Sequence, residues 1–489
     1  MRETAMMVLA ALTTVTPALA QTATTSVPYS TPDRGGSIIE TAGGTGALVV
    51  GYARLQPSAS TSPAAVAIFS LHQNGVVVSE AGVPGTTTML SGRTYAEVQG
   101  PINTGVAFAN PNSLAVVISF SFTDQFGNDF GQNSFTLNPN AQIAKFLNEA
   151  PFSARSFTGA LTFNASAPVG VIALRTFANE RNEFLATAQP VASIPGGISG
   201  GALLVGHYTH GGGWRTQVVL VNTTDAAIGG TVQFYDEGSA TAAAAPVTIN
   251  INGQVSTSFS YTIRPRASVK LQTSGATGNA VQVGSVRITP DGATAPSAFA
   301  IVSFSSNGVT VSEAAVQTQP LGTAFRTYVE VNSDPAKPPV SQSGIAIANN
   351  SSTAATVNFE ITALNGLNSG LRATVIIPPM GHLSKYVQEL FPLSDLPSRG
   401  ILRVSSSNSI AVVSFRMRYN ERDDLLITTI PVSNEALPSN TAELVFPHIV
   451  DGGGFATQFV LFSAITGQVS QGTLRFIGQN GQVLNVSIR

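Results

Sequence analysis

The chain repeats itself, and this constrains its fold more than any other feature. Asn74-Gly75-Val76-Val77-Val78-Ser79-Glu80-Ala81-Gly82-Val83 returns as Asn307-Gly308-Val309-Thr310-Val311-Ser312-Glu313-Ala314-Ala315-Val316, identical at eight of ten positions and displaced by 233 residues. Arg93-Thr94-Tyr95-Ala96-Glu97-Val98 returns at the same displacement as Arg326-Thr327-Tyr328-Val329-Glu330-Val331. Asn179-Glu180-Arg181 returns as Asn420-Glu421-Arg422, and His207 with Gly211-Gly212-Gly213 as His448 with Gly452-Gly453-Gly454, both displaced by 241. Self-similarity at so long a period marks repeated domains.

Each long repeat divides into two related units. Type A covers about 93–200 and again 323–438; type B covers 201–322. Both read as short β-branched strands separated by Asn, Gly and Pro turns. Val218-Val219-Leu220-Val221 ends in Asn222, and Val106-Ala107-Phe108-Ala109 ends in Asn110. Asn307-Gly308 sits between two apolar strands and supplies the positive φ angles of a tight hairpin. The expected fold is all-β: tandem antiparallel Ig-like sandwiches in an A-B-A-B order.

The two ends of the chain are each part of a type B unit. Residues 439–489 match its first part, through His448, the three glycines and Gln458. Residues 21–92 match its second part, through Tyr29/Tyr261, Arg34/Arg266, Thr41/Thr273 and Gly43/Gly275. An unfinished sandwich exposes strand edges and an apolar face. Three outcomes are open: closure within one chain, which is favoured, head-to-tail self-association by half-domain complementation, or a longer array.

Composition narrows the function classes. Only 10% of residues are charged and the net charge is −2, which does not suit phosphate neutralisation, so no nucleic-acid partner is expected. The absence of cysteine removes thiolate nucleophiles, disulfides and Cys-ligated zinc. Residues 1–20 read as a signal peptide: Ala5 to Ala20 are apolar or small, and Ala18-Leu19-Ala20 fits a cleavage site after Ala20, although Glu3 offsets Arg2 in the usual positive region. No later segment has the roughly 18 uninterrupted apolar residues of a transmembrane helix.

The runs Gly344-Ile345-Ala346-Ile347-Ala348-Asn349, Phe446-Pro447-His448 through Gly454, and Arg418-Tyr419-Asn420-Glu421-Arg422 resemble repeats of large secreted bacterial proteins of the acidobacterial type. The resemblance implies immunoglobulin-like or fibronectin-III-like sandwiches and brings no catalytic residue with it. It covers nearly all of the chain after residue 21. The Cys-Trp-Cys arrangement of true immunoglobulin domains is missing.

Few residues suggest chemistry. His207 and His210, three apart before three glycines, are the best metal-ligand candidates, with His448 and Asp451 in the equivalent place; a glycine-rich structural loop is the preferred reading. Trp214, the only tryptophan, and its repeat partner Phe455 are ligand candidates for stacking on a sugar, with packing preferred. The Asn-Glu-Arg turns admit a paired-carboxylate site but read better as charged turns facing water. Glu80 and Glu313, on closing strands, read in the same way as charged side chains facing water, where they also protect a strand edge. Asp124 and Asp129 flank a turn too poor in ligands for calcium.

No nucleophile elbow, phosphate loop or zinc-protease helix is present. The sequence therefore leads to a secreted or cell-surface β-sandwich protein with a structural or adhesive role, non-catalytic and without cofactor. Its expected partner is a cell-surface or matrix component, including glycan. The alternative is an extracellular carbohydrate-binding accessory protein.

Overall fold

Alternation of apolar and polar residues dominates the chain, and alternation commits a segment to a strand with one face buried. Val116–Asp124, for example, buries every second residue through Ile118, Phe120 and Phe122. A computed structural model describes residues 22–489 except 59–60, 195–197, 200, 276–277, 279, 319, 332–339 and 393–394. The signal segment expected over 1–20 lies outside the described residues. The chain is 66% strand and 1% helix, so it is an all-β protein. Among the described residues, no helix is long and apolar enough to cross a membrane.

The strands form four sandwiches. In the first, Asp129–Leu137, Val116–Asp124, Phe157–Ala178 and Met89–Val98 make one sheet in that order; Gln142–Phe146, Ile102–Ala109, the far half of Phe157–Ala178 and Phe184–Gln189 make the other. The 22-residue strand crosses between the sheets at Ala165–Val169. The third sandwich repeats this plan, with Arg399–Tyr419 as the crossing strand.

In the second sandwich the crossing strand is cut into Gln282–Pro290 and Ser297–Ser306. Pro290 ends the first piece and Pro296 stands just before the second. Pro57 and Pro63 stand at the matching positions of the fourth sandwich and divide Val49–Pro57 from Ala64–Gln73.

The fourth sandwich joins the two ends of the chain. One sheet runs Ser26–Thr31, Ser470–Gly478, Val49–Pro57, Leu444–Asp451. The other runs Gly36–Glu40, Phe455–Phe462, Ala64–Gln73, Val76–Pro84. Strand for strand, these orders match those of the second sandwich. Its core packs Leu55, Phe69 and Tyr29 from one end of the chain against Phe446, Phe459 and Phe476 from the other.

The four sandwiches close on one another. Their last strands, Val76–Pro84, Phe184–Gln189, Val309–Gln317 and Leu425–Ile430, lie side by side around a centre. Each gives one backbone N–H to a hydroxyl on the next. Ala186 donates to Ser79 Oγ (3.1 Å), Gly82 to Thr428 Oγ1 (2.6 Å), Ile427 to Ser312 Oγ (2.7 Å), and Ala315 to Thr187 Oγ1 (2.9 Å). These bonds satisfy edge donors that would otherwise be free to pair with another chain.

Candidate functional site

The functional candidates gather where sandwiches meet, and the buried asparagines of the turns show how. Asn110, Asn222 and Asn349 are fully buried; each amide donates to carbonyls of two loops, as Asn222 does to Ala226, Ile263 and Arg264. An arginine from the preceding sandwich then reaches each turn. Arg93 Nη1 bonds the Asn222 carbonyl at 2.9 Å, and Arg287 Nη2 the Asn349 carbonyl at 3.1 Å. Arg54 Nη1 reaches Pro111 O at 3.2 Å, and Arg326 Nη1 reaches Ser463 Oγ at 3.3 Å, completing the circuit.

Beside the central strands lie two buried ion clusters. Arg175 sits between Glu97 (2.9 Å) and Glu313 (3.0 Å), with Tyr95 and Lys270 also on Glu97. Arg416 likewise binds Glu330 at 2.8 Å and also Glu80. Burial works against the Glu97 carboxylate, but Arg175 and Lys270 hold its pKa below the ordinary glutamate range. At Glu330 burial is outweighed in the same way by Arg416. The edge-guarding role expected of Glu80 and Glu313 is therefore corrected: both are buried, because an arginine of the neighbouring sandwich takes their charge.

The Asn-Glu-Arg turns are corrected too. They do not simply face water. Asn179 and Asn420 are buried, and each donates to a carbonyl of the neighbouring hairpin, Thr310 O and Val77 O. Glu180 and Glu421 accept the backbone N–H of those same residues. One Asn-Glu pair thus grips one residue of the next sandwich from both sides. Asp129, from the turn expected to be plain, binds Arg266 of the second sandwich at 2.7 Å.

The proposed metal ligands do not assemble. His207 and His210 point to opposite faces of Leu203–His210, as residues three apart in a strand do. His207 instead meets His382 of the third sandwich, Nδ1 to Nε2 at 3.2 Å, and Thr209 at 2.8 Å. Burial and then the neighbouring imidazole hold His207 far below the usual histidine range. His448 is half-buried with its ring edge-on to Phe69, while Asp451 accepts the Gly43 N–H at 2.9 Å. No cluster of three metal-binding side chains occurs among the described residues. Trp214 is half-buried and lies on Phe304, ring centroids 4.6 Å apart; Phe455 packs against the core of the fourth sandwich.

The junction of the third and fourth sandwiches holds a polar cleft of about 960 Å³. Arg399, Arg416 and Arg418 line it with Glu40, Glu80 and Glu330. At the matching junction of the first and second sandwiches, Lys270 reaches in and binds Glu97 at 2.7 Å. Strand register puts Ile38 where that lysine stands and Arg399 and Arg418 where Thr158 and Phe177 stand. Arg399 is 45% exposed and available to solvent. Sequence reading missed these arginines. Their signal was present: Arg175 and Arg416 are themselves 241 apart in a chain poor in charge.

No protein-family model matches the chain, and no curated protein matches it. Among solved structures, "Structure of infectious bursal disease virus Gx strain" is similar at 9% identity, covering 94% of this chain and 87% of that one with a TM-score of 0.13. "The Triple Jelly Roll Fold and Turret Assembly in an Archaeal Virus" is similar at 12% identity, covering 83% and 91% with a TM-score of 0.11. Likeness at that level carries no argument about this chain.

Proposed function

We propose that the protein is an exported, non-catalytic β-sandwich scaffold with a structural or adhesive role at or outside the cell surface. Its sandwiches are read as an A-B-A-B repeat of the immunoglobulin-like or fibronectin-III-like kind found in secreted bacterial proteins. The observation that carries this reading is the use made of the charged side chains. In a chain with 10% charged residues, Arg54, Arg93, Arg175, Arg287, Arg326 and Arg416 all bind neighbouring sandwiches. Such joints favour a stiff body that presents fixed surfaces, which suits spacing and contact rather than turnover.

Light scattering on residues 21–489 over a concentration series tests the scaffold. A monomer at every concentration agrees with closure inside the chain, whereas fibres that grow with concentration refute it. Cell fractionation of the native host tests the location, and recovery in the cytoplasm refutes export.

A second reading, an extracellular carbohydrate-binding accessory protein, is favoured by the polar cleft with Arg399 and Arg418. Its chemistry suits an acidic sugar, since arginine pairs with carboxylate in a planar fork. Pull-down on an insoluble uronate polysaccharide, with Arg399→Ala and Arg418→Ala compared, tests it; equal retention of all three proteins rejects it.

A further inference from the structure

The junction of the fourth and first sandwiches holds a second cavity, of about 610 Å³ and mostly apolar. That volume lies within the range of small-molecule sites. The molecule contains a twin of this junction, between the second and third sandwiches, where larger side chains pack together. There Phe304 lies on Trp214, and Phe415 lies 5.3 Å from the His207 ring. Met417 and Ile427 pack into the same core.

Strand register identifies the matching residues around the cavity. Leu71 stands for Phe304, since each pairs with the aromatic residue after the glycines. Leu174 stands for Phe415, Thr176 for Met417 and Ala186 for Ile427. All four are smaller. Phe69 and Phe184 are larger than their counterparts Val302 and Leu425 and return part of the volume. What remains is an apolar pocket open to solvent on the side of Leu48, Lys145 and Glu149.

A polar group lines this pocket without a partner. His448 is half-buried, but its Nδ1 atom is shut off from solvent and has no hydrogen bond. In the twin, His207 has His382 and Thr209. Here the matching positions are Gln142, whose amide turns to Pro447 O, and Val450, which has no hydroxyl. A buried polar atom left unpaired costs about 1–3 kcal/mol, and a ligand can relieve that. Phe69, Phe146, Phe184 and Phe455 line the walls, so edge-to-face contact favours an aromatic guest. Lys145 and Glu149 line it with opposite charges, so no net charge selects an ion.

We propose that this cavity is a binding site for a small uncharged aromatic molecule bearing one hydroxyl group. Its ring sits among the phenylalanines and its hydroxyl bonds His448. The site is independent of the structural or adhesive role and stands or falls without it.

The probe is 2-naphthol, followed by its own fluorescence, with naphthalene as the analogue lacking the hydroxyl. The wild-type protein is expected to bind 2-naphthol at one saturable site. Naphthalene should bind about threefold to tenfold more weakly, the worth of one hydrogen bond. His448→Leu should remove that preference. Leu174→Phe with Thr176→Met restores the twin's residues and should lower 2-naphthol affinity at least tenfold, with mass and circular dichroism unchanged. Ala186→Ile serves as a second filling variant if the double variant fails to fold. Absence of saturable binding to the wild type overturns the proposal, as does full binding by a folded, filled variant. Equal affinity for the two probes overturns the role of His448.

Discussion

Arg181 Nη2 lies 2.7 Å from Asp424 Oδ2, although the two residues are 243 positions apart. Arg422 makes the mirrored contact with Glu183, also at 2.7 Å. Arg181 also binds Glu183, and Arg422 binds Asp424, so two arginines and two carboxylates alternate in one cluster. The cluster joins the first and third sandwiches, which are not consecutive in the circuit. It therefore braces opposite members, while the hydroxyl bonds of the central strands join adjacent ones.

The brace is partly exposed, so its worth is modest. Arg181 and Asp424 are 32% and 13% exposed in their side chains. A double-mutant cycle of Arg181→Ala and Asp424→Ala, read by urea unfolding, should give a coupling of about 0.5–1 kcal/mol. The coupling should shrink in 1 M salt, where screening is strong. A coupling of zero at low salt would show that the Arg181–Asp424 pair does not brace the two sandwiches.

Glu313 and Glu80 predict something larger. Each is buried beside an arginine that also serves a second carboxylate. Removing Arg175 strands Glu313 and leaves Glu97 with Lys270 alone, while Glu313→Gln leaves Arg175 paired with Glu97. Arg175→Met should therefore cost more than Glu313→Gln, with the arginine variant losing about 3–5 kcal/mol. Denaturation midpoints of the two variants decide the order. Equal losses would mean that Lys270 alone compensates Glu97 when Arg175 is gone.

Much of this architecture was legible in the sequence, for a definite reason. Strand alternation, the Asn-Gly hairpins and the buried turn asparagines are local signals, carried by neighbours in sequence. What escaped was which charged residues face inward. Glu313 lies on an alternating strand and looks like a solvent-facing residue until Arg175, 138 positions away, is known to meet it. The same holds for His207: its neighbour in sequence is His210, but its neighbour in space is His382, 175 positions away. The single clue available was repetition. Charged residues recurring at one displacement in so uncharged a chain mark places where exposure alone does not explain the charge.

Trp214 offers a test that separates packing from sugar stacking. Its ring rests on Phe304, and both lie against the core of the second sandwich. Trp214→Ala should lower stability by about 2 kcal/mol, less than a fully buried tryptophan because one side is open. Trp214→Phe should restore most of that, since Phe455 holds the matching position in the fourth sandwich. A Trp214→Ala variant as stable as wild type would move the residue from the packing class to the binding class.

His448 makes stability depend on pH in a window that the carboxylates leave open. Burial pulls its pKa from 6.5 to about 4. Between those values the unfolded chain binds a proton that the folded chain refuses. Stability must then fall as pH falls from about 6.5 toward 4, and rise again on returning to neutral. The shift corresponds to roughly 3 kcal/mol when the window has been crossed. His207 and His382 are also held low by burial and contribute in the same direction. The paired glutamates act lower down, below their unfolded value of 4.5, because Glu97 and Glu330 are depressed as well. His448→Phe should remove one histidine's share and flatten the slope between pH 6.5 and 5, leaving the lower acid transition in place. Urea unfolding at several pH values reads both slopes. An unchanged slope in the variant would mean that His448 takes up its proton in the folded protein, with water or a guest in the cavity to stabilise the charge.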